Sequence, residues 1–128
     1  MMEEDAAFLL EQMPDAAQCA VSYVEGLSKA DFLDDRRTRE AVALNLMVIG
    51  ELATRLSKSY GEVASAYPSL QLREMQGMRN RIAHGYVKIN MVTVWETVES
   101  SLPELIKTLP SIIQSARGPQ TPSSSGDR

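Results

Sequence analysis

The chain has 128 residues, 44% of them hydrophobic and 23% charged, which suits one soluble domain with a single core and argues against disorder over most of its length. One cysteine, Cys19, and one histidine, His84, exclude an intramolecular disulfide and leave too few soft ligands for a structural zinc site. A net charge of −4 disfavours general attraction to nucleic acid, so any RNA contact needs a local basic patch working against the overall field.

No apolar run approaches the roughly 20 residues that span a bilayer, and the acidic start Met1-Met2-Glu3-Glu4-Asp5 has the wrong sign for a signal peptide, so a cytoplasmic protein is expected. Long stretches lack glycine and proline, and no Asn-Gly or Asp-Gly hairpin signal occurs. An all-α fold follows. From about Asp5 to Leu27, apolar residues such as Leu9, Leu10, Met13, Ala17 and Val24 recur at helical spacing, with a kink or a fresh start expected at Pro14 and an end at Gly26. Ser28 with Asp31 resembles a capping box, opening a turn that carries Phe32 and Leu33 into the core.

Asp34 or Asp35 can cap the next helix, which runs to about Ser59 with the stripe Ala41, Val42, Asn45, Val48, Ile49, Leu52, Ala53 and Leu56. Asn45 interrupts that stripe and is expected to tie two helices together, because a buried amide needs partners. Gly50 costs helix stability relative to alanine, so a close helix crossing is expected there, with Glu51 beside it. After Tyr60-Gly61, a short turn leads to Pro68 and a third helix covers about Leu70 to His84. Val87 to Asn90 reads as a loop, and Asn90 can cap a helix bearing Met91, Val94, Trp95 and Val98. Leu102-Pro103 is expected to break or bend it before a last helix with Leu105, Ile106, Leu109, Ile112 and Ile113. Pro110 can bend that helix too. Residues 1–116 thus form one domain, and 117–128, rich in proline and serine, form an expected flexible tail.

The stretch Gly77-Met78-Arg79-Asn80-Arg81-Ile82-Ala83-His84-Gly85-Tyr86 concentrates the side chains able to handle a phosphate ester. On a helical wheel Met75, Met78 and Ile82 share the core face, while Gly77, Asn80 and His84 share the opposite one. Arg79 falls to the side, so its long side chain must bend round or reach the site of a facing subunit. Imidazole can take and return a proton near neutral pH, and guanidinium binds phosphate oxygens bidentately, a pairing suited to RNA cleavage. A lone histidine on a helix is more often structural than catalytic, and acid–base cleavage is most easily run with two proton-transfer groups. A symmetric dimer opposing two copies of this helix would supply both.

Arg79-Asn80, three residues, then His84-Gly85-Tyr86 resembles the arginine, four residues, histidine, any residue, tyrosine motif of the HEPN superfamily, and more closely its HepT-like toxin branch. The resemblance extends to Phe32–Asp35, Thr38–Val42, Asn45-Leu46, Ile49-Gly50-Glu51, Arg55–Ser57, Val94–Glu96 and Leu102–Leu105. Pro68–Arg73 lacks the tryptophan that members often carry before this helix. The resemblance implies an up-and-down helical bundle that dimerises through the motif helix, and a composite, metal-independent endoribonuclease site without cofactor. Arg79 would bind the phosphate, His84 move the proton, Asn80 orient, and Arg81 act as an auxiliary cation. It further implies the toxin of a type VII toxin–antitoxin system, whose MntA-like minimal nucleotidyltransferase antitoxin attaches AMP to Tyr86. The alternative is a non-catalytic, nucleotide-binding or docking subunit for a nucleotidyltransferase.

Overall fold

Helix α3 (Arg36–Ser59) is the central element of the computed structural model, which describes residues 5–118. Helix α1 (Ala6–Tyr23) and helix α5 (Leu72–Gly85) pack along it, and α7 (Leu102–Ala116) packs against α1. Three short helices connect them: α2 (Lys29–Leu33), α4 (Gly61–Ala66) and α6 (Met91–Glu96). Single 3-10 turns occupy Pro68–Leu70 and Tyr86–Lys88. The described residues contain no strand, as the sparse turn signals require.

Local chemistry sets the boundaries. Asp5 caps α1 by accepting from the amide of Phe8, and Ser28 and Asp31 form the expected capping box. Asp35, not Asp34, caps α3, accepting from the Thr38 amide and, at 2.7 Å, from its hydroxyl. Those bonds stabilise the ionised carboxylate and hold Asp35 below its ordinary range. Pro14 lies inside one continuous α1. Asn90 caps α6 through Val92.

The core is one cluster: Leu9, Leu10, Met13 and Ala17 of α1 meet Val42, Ile49, Ala53 and Leu56 of α3 and Leu105, Leu109 and Ile112 of α7. Phe32 is fully buried, its ring 5.4 Å from that of Trp95. Leu33, expected inside with it, is 37% exposed, because a five-residue helix turns only one face to the core.

Other expectations need correction. Asn45 donates to the carbonyl of Ala41 in its own helix, so it ties no second helix. One side-chain hydrogen bond between α3 and α5 runs instead from Gln76 Nε2 to Ser57 Oγ, 2.8 Å. Val48, expected in the stripe, stands outside the core and is 41% exposed. The motif helix begins at Leu72, not Leu70, after a left-handed Gln71. Residues 86–88 form a 3-10 turn rather than plain loop. The break expected at Leu102-Pro103 is absent: the chain passes from α6 through a π-helical turn, Thr97–Ser101, into α7, with Pro103 in its first turn where an amide donor is not needed.

Most of the expected tail lies outside the described residues. Within them, Arg117 follows α7, and its Nε donates to Glu11 of α1 at 2.8 Å. No helix among the described residues is long and apolar enough to cross a membrane.

Candidate functional site on helix α5

Helix α5 turns Leu72, Met78 and Ile82 inward, the spacing expected of its core face. It crosses α3 at Gly50. A Cβ placed on Gly50 would overlap Arg79 Cβ and stand 2.7 Å from the carbonyl oxygen of Met75. Only a residue without a side chain permits this approach. The crossing brings Arg79 against α3, with the partly buried guanidinium bent along the surface of that helix.

Two contacts hold it there. Arg79 Nη2 lies 3.3 Å from Glu51 Oε1, and Nη1 donates to Asn80 Oδ1 at 3.0 Å. Nε is buried without a hydrogen-bond partner among the described residues. A buried donor left unmade costs stability. The side chain thus bends round within one chain, one of the two routes its position on the wheel allowed. Asn80 spends its carbonyl oxygen on Arg79, which leaves its Nδ2 free to donate outward.

His84 lies one turn beyond Asn80 on the same exposed face, and its ring makes no hydrogen bond to a described residue. Arg81 turns away from that pair. Its Nη2 contacts Met78 Sδ at 3.9 Å, its Nη1 lies 3.5 Å from where a Cβ on Gly77 would stand, and its side chain lines a cavity between α5 and α7. Gly77, which shares the face of Asn80 and His84, is therefore bordered by Arg81.

Tyr86 follows the end of α5, is half-buried against the core, and together with Glu40, Ala43, Leu44 and Met47 of α3 lines a shallow open hollow. Arg36, hydrogen-bonded to Glu40 at 2.8 Å, is held above its ordinary range by that bond and by the Glu40 charge, with a smaller contribution from Tyr86. The hollow therefore has a cation at its edge.

Arg79 and Asn80 are thus joined, His84 shares the face of Asn80, and Arg81 and Tyr86 stand apart from that face on separate sides. Sequence reasoning placed Glu51 near the crossing without linking it to Arg79. The signal was present: Gly50 marks the contact, and the next residue projects about 100° around the helix, toward its rim. Arg36 stands in the first turn of α3, and the docking of the Tyr86 turn on α3 brings it near the tyrosine. Leu44 (63% exposed) lines the hollow with Tyr86, and Val48 (41%) and Val87 (96%) are exposed as well.

A family model described as ribonuclease HepT-like matches residues 13–112. The chain is 32% identical over 105 residues to a protein of Caldanaerobacter subterraneus subsp. tengcongensis named "Putative RNase TTE0752", covering 82% of this chain and 91% of the relative. It is 29% identical over 110 residues to "Putative RNase MJ1216" of Methanocaldococcus jannaschii, covering 86% and 85%. A third relative, "Probable ribonuclease HepT" of Thermococcus cleftensis, is 28% identical over 96 residues, 75% of this chain and 84% of the relative. No solved structure matches significantly.

Proposed function

The chain belongs to the ribonuclease HepT-like family, and from that premise we propose that it is a metal-independent endoribonuclease, the toxin of a type VII toxin–antitoxin pair, with a composite site shared by two copies of α5. The observation that carries this reading is the joined Arg79 and Asn80 beside an exposed His84. Arg79 grips a phosphate oxygen and offsets the charge that grows on the pentacovalent transition state, supplying fixed positive charge from the protein itself. Asn80 Nδ2 donates to a second oxygen. His84 takes the ribose 2′-hydroxyl proton as O2′ attacks phosphorus, and His84 of the partner subunit protonates the departing 5′-oxygen. Arg81 serves the neighbouring phosphate.

Leu44, 63% exposed in the hollow that Tyr86 lines, gives a second copy apolar surface to cover and so supports an interface here. Tyr86 is the modification site: an MntA-like nucleotidyltransferase attaching AMP there adds negative charge and bulk beside the cleft, so RNA phosphates are repelled.

Purified dimer incubated with RNA in chelator should cleave it, and His84→Ala should not. Equal cleavage by that variant removes His84 from the reaction. No cleavage by either protein leaves the non-catalytic docking subunit, the reading that the acidic net charge favours.

A further inference from the structure

A cavity of about 600 Å3 opens on the other side of α5 from His84, between the Pro68–Leu70 turn, the π-helical turn and the start of α7. Its volume falls in the roughly 300–1,000 Å3 range of small-ligand sites. The floor is apolar: Leu46, Ile49, Leu70, Met75 and Met78. The rim is hydroxylic. Thr97 and Thr108 donate to the carbonyls of Thr93 and Glu104, which leaves their oxygens as acceptors, while Ser69, Ser100 and Ser101 make no hydrogen bond to a described residue and can donate.

Two backbone irregularities border this one cavity. Gln71 is the only non-glycine residue with positive φ among the described residues, at 54°. The other is the π-helical turn itself, which contributes Thr97, Ser100 and Ser101. Both are sparsely populated conformations that concentrate at binding sites. Arg81 supplies a cation at the wall, one turn before His84, with a methionine sulfur as its contact rather than a carboxylate. Glu74 and Glu104 supply acceptors, the latter 3.8 Å from Lys107.

We propose that this cavity receives one unstacked base of a single-stranded RNA, while Arg81 holds the phosphate between that base and the cleavage site. The proposal rests on the ribonuclease reading above and names its substrate as single-stranded. A flat ring fits an apolar floor, where the two methionine sulfurs favour an aromatic edge. The Watson–Crick edge of a base carries donors and acceptors together, matching a rim of free hydroxyls and carboxylates better than a purely anionic or purely apolar ligand would. Bases splayed from single strands are recognised in this way, whereas the groove edges of duplex RNA are not presented to such a cavity.

The probe is a short fluorescent 2′-O-methyl oligoribonucleotide, which has no 2′-hydroxyl to attack and so reports binding without cleavage. Ser69→Trp and Ser100→Trp each fill the cavity from a different wall at an exposed position. Each should weaken binding about tenfold, within the range for loss of one stacked base. The parent should bind an abasic strand of the same length about as weakly. His84→Ala should bind the probe normally while losing cleavage of ordinary RNA, which separates failure of the cavity from failure of the chemistry. The proposal is overturned if the parent binds abasic and base-bearing strands equally. It is also overturned if both tryptophan variants bind as the parent does, or if either halves the mass in solution, which would assign the cavity to a second copy.

Discussion

Gly50 and Arg79 occupy one point of the structure: the space where a side chain on Gly50 would stand is taken by the Cβ of Arg79. Alanine at position 50 would gain about 1 kcal/mol of helix propensity. It would also force α3 and α5 apart, since the Met75 carbonyl oxygen is backbone and cannot swing aside. Overpacking of this kind costs roughly 1–3 kcal/mol. Gly50→Ala should therefore lower the urea midpoint and reduce RNA cleavage. An unchanged midpoint would mean that the crossing has slack.

Glu51 separates position from stability. Its pair with Arg79 is half exposed, so removing it should change unfolding free energy by no more than about 1 kcal/mol. The guanidinium, however, loses the contact that aims it. Glu51→Ala should lower kcat about tenfold without raising KM. A rise in KM with kcat intact would assign Glu51 to substrate binding instead.

Arg79→Lys tests geometry against charge. Lysine keeps the positive charge but cannot reach Glu51 and Asn80 together while presenting a bidentate edge to phosphate. Cleavage should fall at least about a hundredfold, with thermal stability equal to the parent or higher, because the unpaired buried Nε is gone. Lysine at near-parental rates would show that a point charge suffices.

Tyr86→Phe keeps the half-buried ring packed against the core and removes only the hydroxyl. RNA cleavage should persist. Intact mass after incubation with the nucleotidyltransferase and ATP should show no added AMP, whereas the parent gains it. Mass added to the variant would place the modification on another residue.

Asp35 gives an acid dependence with a definite sign. Its carboxyl is held below its ordinary range by the Thr38 hydroxyl and amide, so it stabilises the fold above the unfolded value near 3.8 and that contribution disappears as pH falls through the folded value. Amides at the start of α3, Arg37 to Arg39, should exchange faster below that pH in the parent. In Asp35→Asn the same amides should exchange with little pH dependence beyond the intrinsic rate.

The sequence by itself determined the helices, most of the core and the motif face. Each depends on spacing along one chain: 3.6-residue periodicity placed Met78 and Ile82 inside and Asn80 with His84 outside, and the capping chemistry of Ser28 and Asn90 is local. Gly50 even announced its crossing. What the sequence could not decide is what meets at a crossing. Asn45 satisfied itself within α3, Gln76 bonded Ser57 across the two helices, and Val48 stayed exposed. Arg79 found Glu51, and Tyr86 came to Arg36, because two helices far apart in sequence pack at one angle and depth. That angle is fixed by the summed shape of both surfaces, a quantity no single helix carries.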